Sequence, residues 1–394
     1  MTDPLGQSQV LPYIKSLSKH GYEFHLISYE KPDRFAKHKK VIQEICDEDG
    51  IHWHPQHYAK GKGLRNTLKQ VRRLNRVALY LHNKHTFDIV HCRSYISALA
   101  GMRMKRKYAT KFVFDMRGFW ADERVDGGLW NLDNFLYKRI YNYFKRQERA
   151  FLKEADYVIS LTENGKNEML SWSSTKSDIR IKVIPCCTNL TLFDPSKITD
   201  DVKAKCRENV GISEDQFVLG YIGSIGTWYM LPEMMDYFAE LQKERPNARF
   251  LFVTGESPDS LTQMAKEKGI EPSAIAVTSV LHHEVPHYIS LMDASIFFIK
   301  PSYSKKASSP TKQGEIMAMG IPLICNSNVG DTDLIVSRYK AGTVIDEFNH
   351  ETYQNNIIQP EAFDSKEIAA GAKDYFALEE GVIRFLDVYT KIYE

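Results

Sequence analysis

The chain of 394 residues has no apolar run long enough to cross a bilayer and no leader-type N-terminus. Its opening, MTDPLGQSQV, carries an acid, a proline and a glycine where an apolar stretch would stand. The six cysteines (Cys46, Cys92, Cys186, Cys187, Cys206, Cys325) form no CxxC pair. Cys186 and Cys187 are adjacent, a poor geometry for a structural disulfide. These absences argue against a spanning protein and a disulfide framework, and the expectation is a reduced, cytoplasmic chain. Thirteen histidines show no HExxH and no paired ligand spacing, so no metal is assigned. His282, His283 and His287 lie near a strand end, open to contact with a ligand or to plain exposure. Repeats and low-complexity segments are lacking too.

Net charge is also small, +2, but it is unevenly spread. Met1 to Pro185 holds 33 Lys and Arg against 20 Asp and Glu, and the remainder holds 19 against 30. A basic front half points to an anionic partner: a membrane surface, a nucleic acid or a phosphorylated substrate.

What is present is a steady alternation of short apolar strands with helix-period segments. The strand-like runs are residues 24–28, 87–92, 111–116, 157–162 and 181–185, then 217–223, 249–255, 275–280, 294–299 and 321–325. This predicts an α/β fold with two doubly wound parallel sheets. The rhythm breaks after Pro185, so the expected divisions are 1–185, 186–375 and a C-terminal helix over 376–394 that packs back on the first domain. One irregularity stands at the start. Gly6-Gln7-Ser8 reads as a glycine turn before a helix (Gln9 to Lys19), yet too few residues precede it for a strand. The first strand is therefore expected to be missing, with a natural start upstream; a version longer by about ten residues that gained neither stability nor activity would count against this.

The densest chemistry lies in Ile299 to Asn326, IKPSYSKKASSPTKQGEIMAMGIPLICN. A short helix is predicted from Thr311 to Met319, stopped by Gly320 and Pro322, with an apolar strand after it. A serine- and lysine-rich loop feeding a helix N-terminus suits an anion, because unpaired N–H groups and the helix dipole favour phosphate. Glu315, one turn in, suits accepting hydrogen bonds from ribose hydroxyls. A second glycine turn, Gly220-Tyr-Ile-Gly223-Ser224-Ile-Gly226, follows a strand and precedes a helix over Pro232 to Lys243, where backbone could approach a phosphate.

The order strand, basic loop, SSPTKQGEIMAMGIP, strand resembles the donor-binding motif of the family 4 glycosyltransferases. The resemblance implies a GT-B fold: two Rossmann-like domains facing across a cleft, the front one for the acceptor and the back one for a nucleotide-diphosphate sugar. It also implies retaining, metal-independent transfer with no cofactor beyond the donor. In the family the glycine turn usually carries an Arg and then a Lys; Ser224 and Tyr229 stand there instead. Ala307 occupies the place of a first glutamate. The charge is therefore expected from Lys300, Lys305, Lys306 and above all Lys312, with Ser308, Ser309, Thr311, Gly223, Ser224, Gly6 and Gln7 around the donor.

In the front half, FDMRGFWADERVDGG (114–128) places Arg117 at a strand end, where the resemblance implies a contact to the donor sugar or phosphate. Trp120, Asp122 and Glu123 are expected to shape the acceptor site, with Arg93 at a comparable strand end. The plain alternative is a surface loop with an Arg117–Asp115 or Arg124–Asp122 pair. Thr162-Glu163-Asn164 reads equally as cleft lining and as a helix cap. Two basic helices complete the picture. Leu64 to Leu81 puts Leu64, Leu68, Val71, Leu74, Ala78 and Leu81 on one stripe and Arg65, Lys69, Arg72, Arg73 and Arg76 opposite. Leu136 to Lys153 interleaves aromatics with Lys and Arg. No nucleic-acid module accompanies them, so an anionic membrane face and a glycan or lipid-linked acceptor fit better. The implied role is assembly of surface polysaccharide or lipopolysaccharide by a peripheral protein at the inner face of the membrane. The rivals are a nucleotide-sugar 2-epimerase of the same fold and a catalytically weak nucleotide-sugar-binding subunit.

Overall fold

A computed structural model describes residues 1–58 and 64–394; the side chains of Leu64 and Arg65, two members of the predicted basic helix, also lie outside the described residues. The chain divides into two compact units, Met1–Pro185 with Leu378–Glu394, and Cys186–Ala377. Twelve strands are described: β1 Phe24–Glu30, β2 Ile51–His57, β3 Ile89–Arg93, β4 Lys111–Asp115, β5 Tyr157–Ser160 and β6 Ile181–Val183 in the first unit. The second holds β7 Val218–Ile222, β8 Arg249–Val253, β9 Ile275–Thr278, β10 Ala294–Phe297, β11 Leu323–Asn326 and β12 Gly342–Ile345. Every pairing is parallel. Parallel strands covered by helices on both faces bury nearly every side chain, which is why β7, β8, β10 and β11 are almost wholly apolar and inaccessible.

The second unit is one six-stranded sheet in the order β12-β11-β10-β7-β8-β9. The first unit is split into a pair, β1-β2, and a four-stranded sheet, β3-β4-β5-β6. β4 and β5 are almost fully buried, whereas β1 and β3 are mostly half-exposed.

The glycine-turn reading of the first residues is corrected. Gly6 and Gln7 lie inside a helix, Pro4–Gln9, which Val10 separates from a second helix, Leu11–Ser18. Pro4 and Pro12 each stand in a first turn, where a missing N–H costs nothing, so each starts a helix. The helix Leu378–Lys391 belongs to the first unit. Tyr389 Oη lies 2.7 Å from His91 Nδ1, and Lys182 Nζ donates to Asp387 at 2.6 Å. The helix Leu64–His85 exposes Lys69, Arg72, Arg73 and Arg76 and buries Leu74, Ala78 and Leu81. Leu68, assigned to its apolar stripe, is 46% exposed instead.

Candidate functional site

In the second unit the chain runs from β7 through β8 to β9 at one edge, then returns to the other side of β7 as β10. The crevice beyond the carboxyl ends of β7 and β10 is therefore a topological switch point, where doubly wound sheets hold ligands. Two segments meet there. The turn after β7 carries Gly223 and Gly226, both with positive φ (91° and 54°). The segment after β10 leads to the helix Thr311–Ala318. They are tied together by backbone: Met230 N donates to Phe298 O at 2.9 Å and Lys300 N to Trp228 O at 2.9 Å. Asn326 secures the end of β10 by accepting from Ile299 N at 2.8 Å and donating to Ile299 O at 3.0 Å.

Lys312, in the first turn of that helix, is buried, and its Nζ has no hydrogen-bond partner. Nζ lies 3.9 Å from the ring centre of Tyr221 and 3.7 Å from that of Tyr229. A Cβ on Gly223 would stand 3.6 Å from it, so the glycine leaves open the side facing the turn. Two aromatic faces supply negative quadrupole but no acceptor. Burial therefore drives the Lys312 pKa well below its ordinary value, with the Glu315 carboxylate pulling the other way. An anion brought to Nζ would provide the missing partner. No side chain caps the N-terminus of the helix, which leaves its dipole to the same ligand.

Glu315 is buried and its Oε1 lies 3.1 Å from His282 Nε2. That hydrogen bond raises the pKa of the half-exposed imidazole. Lys305 is buried with Nζ 3.7 Å from the Trp228 ring centre, whereas Lys300 and Lys306 are exposed. Of the four lysines expected to share the burden, Lys305 and Lys312 are buried against aromatic rings, while Lys300 and Lys306 are exposed, Lys306 Nζ lying 5.3 Å from the Tyr303 ring centre. Ser309 Oγ accepts from Cys186 N at 3.1 Å, Ser308 N donates to Lys305 O at 3.1 Å, and Thr311 opens the helix half-buried. Ser224 is exposed, and its carbonyl accepts from Tyr221 Oη at 2.8 Å. Ala307 is buried.

The first unit holds the other candidates. Arg117 has φ 58° and places Nη1 3.8 Å from the buried Asp115. His91 Nε2 and Arg93 Nη1 lie 3.6 and 3.9 Å from the same carboxylate. Burial by itself would raise the Asp115 pKa; Arg117, His91 and Arg93 outweigh it and hold it low. Arg93 also donates to Gln9 O at 2.8 Å. The open acceptor role expected of Asp122 is corrected. It is buried, accepts from Tyr141 Oη and Lys145 Nζ at 2.8 Å each, and does not pair with Arg124, which stacks on Trp120. Trp120 is itself packed against Tyr95, Trp130 and Phe144, while Glu123 is half-exposed. Thr162 is a helix cap, its hydroxyl accepting from Gly165 N at 2.9 Å.

Sequence reasoning missed Tyr221, Trp228, Tyr229 and the role of His282. The signal was present in GYIGSIGTWYM, a glycine turn crowded with aromatics.

Two Rossmann-like units with an anion-ready switch point define a protein of GT-B fold. Comparison agrees: the model of Glycosyltransferase Family 4 matches residues 8–192 and that of Glycosyl transferases group 1 matches residues 202–366. The chain belongs to the family 4-like glycosyltransferases. A solved glycosyltransferase from Rickettsia africae ESF-5 superposes with a TM-score of 0.72 at 17% identity, covering 99% of this chain and 97% of that one. The alpha-monoglucosyldiacylglycerol synthase of Acholeplasma laidlawii is 26% identical over 155 residues, 38% of this chain and 36% of its own length. The D-inositol 3-phosphate glycosyltransferase of Segniliparus rotundus is 20% identical over 281 residues, 70% of this chain and 59% of its own. The chain thus spans about a third and under two thirds of these two relatives.

Proposed function

We propose that the chain moves a sugar from a nucleotide-diphosphate sugar to a glycan or lipid-linked acceptor, with retention and without a catalytic metal. The setting would be surface polysaccharide or lipopolysaccharide assembly at the inner face of the membrane. The observation that carries this reading is the buried, partnerless Lys312 Nζ at the switch point. As the bond from the anomeric carbon to the diphosphate breaks, negative charge collects on the departing oxygen, where a preplaced ammonium and helix-end amides stabilise it. The acceptor oxygen bonds to the anomeric carbon on the face the diphosphate leaves, and its proton passes to the departing phosphate. Glu315, hydrogen-bonded to His282, is assigned to the ribose hydroxyls. Arg117 is assigned to the donor sugar or phosphate.

A lipid acceptor is supported by the name of the Acholeplasma relative and by one surface of the first unit. On and before the helix Phe135–Glu154, Leu129, Phe135, Leu136, Tyr137 and Tyr143 are exposed. Lys138, Arg139, Arg146 and Arg149 are exposed on the same helix. Among the described residues no helix is long and apolar enough to cross a membrane. Aromatics interleaved with cations suit the headgroup region of an anionic bilayer.

A thermal-shift panel of nucleoside diphosphates tests the donor site, because a ligand of the folded state raises the melting temperature by mass action. One base should give a saturable shift that Lys312→Ala abolishes together with turnover. Incubation with the donor alone separates the rivals: an epimerised nucleotide sugar would make the chain a 2-epimerase. A shift without turnover on any lipid acceptor pool would make it a binding subunit.

A further inference from the structure

A second constellation lies in the first unit, at the opposite ends of the strands from those that hold ligands in doubly wound folds. β1 and β2 pair in register so that His25 faces His52, and Ile27 faces His54. Side chains two apart on a strand share a face, so His52 and His54 line up beside His25, and Glu23 lies just before β1. Among the described residues this is the one place where three ligand-type atoms converge: one each from Glu23, His25 and His52, all within 4.8 Å of one another. Glu23 Oε1 lies 3.2 Å from His25 Nε2 and 3.3 Å from His52 Nε2. Two ligands of a tetrahedral ion, each about 2.0–2.1 Å from it, stand about 3.4 Å apart, so both separations suit a shared ion.

The surroundings suit it as well. The other ring nitrogen of His25, Nδ1, is 3.0 Å from His54 Nε2, a contact that fixes ring orientation and tautomer as the outer partner of a metal-bound histidine does. His85 and Phe87 wall the His25 ring at 4.1 and 5.0 Å between centres. Glu23 and His52 are more than half exposed, which supplies an entry path and room for a water ligand.

The geometry points to a site for one divalent transition-metal ion of the zinc class, held by Glu23, His25 and His52, with His54 as the positioning residue. Its role is structural. β1 and β2 form a two-stranded sheet of their own, packed on helices through Leu11, Ile42 and Cys46, and one ion bridging His25 to His52 clamps the strands together. Spacing rules did not reveal it because the ligands come from two strands joined only by pairing register; the H-x-H of residues 52–54 was the visible trace.

The full chain, stripped with chelator, is titrated with Co(II) and, against a chromophoric competitor, with Zn(II). The expected result is one equivalent bound, a cobalt d–d band of low coordination number, and a higher melting temperature. His52→Asn and Glu23→Gln change exposed positions and should keep the fold while weakening binding at least tenfold. His54→Gln should cost about 10–100-fold. Absence of stoichiometric binding, or binding unaltered in His52→Asn and Glu23→Gln, overturns the proposal and leaves a hydrogen-bonded histidine cluster. None of these readouts depends on transferase activity.

Discussion

At the scale of single residues, the weight falls on Lys312. A buried amine without a hydrogen bond is costly, so Lys312→Met should raise the melting temperature. The same change should lower turnover by about 10²–10³-fold, the usual loss on deleting one group that stabilises transition-state charge. Because burial depresses the Lys312 pKa, a bound diphosphate should restore its charge. Nucleotide binding should then be coupled to proton uptake over the pH range between the free and the bound pKa, visible as buffer-dependent calorimetric heats. Equal heats in buffers of different ionisation enthalpy would contradict this. His282 titrates in the other sense. Its pKa is raised above 6.5 by Glu315, so the stability it contributes is fully present below that value and fades as pH rises through the raised one. The difference in urea midpoint between wild type and His282→Gln should be largest in acid and vanish in mild alkali. Lys312 and Glu315 were singled out in the sequence by the SSPTKQGE motif that carries the family resemblance. Tyr221, Tyr229 and His282 were not, since they reach the site from separate segments.

At the scale of elements, glycines set how closely the site's parts approach. A Cβ on Gly220, in β7, would come within 2.0 Å of Met292 Sδ, and one on Gly314 within 2.5 Å of Thr188 Oγ1 and 2.9 Å of Phe376 Cγ. Gly314 therefore lets the helix carrying Lys312 and Glu315 seat against its neighbours. Gly314→Ala should cost about 1–3 kcal/mol and weaken nucleotide binding, with partial recovery in the Gly314→Ala/Thr188→Ala double variant. An unchanged melting temperature would show that the seat is looser than described. Ten of the twelve described strands were legible in advance, the edges β6 and β9 among them. β2 and β12 escaped notice, and both are edges. An edge strand pairs on one side only, so it tolerates Pro55 and the histidines of β2 and needs no continuous apolar run. Asp122 was misjudged for a related reason: Arg124 is its neighbour in sequence, but the helix Phe135–Glu154 brings Lys145 and Tyr141 to it.

At the scale of the whole molecule, the lopsided charge becomes a testable surface. The full chain should float with vesicles containing anionic lipid and not with neutral ones, and added salt should release it, because the attraction decays within a Debye length. Phe135→Ser with Leu136→Ser should reduce flotation without changing nucleotide binding; unaltered flotation would move the contact elsewhere. The alternation of apolar strands with helical periods and the break after Pro185 determined the fold class by local rules, because period, turn chemistry and helix stops act over a few residues; the SSPTKQGE motif carried the family resemblance. The environment of each group was decided only by tertiary structure. Whether a lysine is solvated or desolvated, whether a carboxylate is open or already paired, and whether scattered histidines meet all depend on residues far away in sequence. Desolvation and ligand geometry are properties of a place in space, and only the folded chain makes the place.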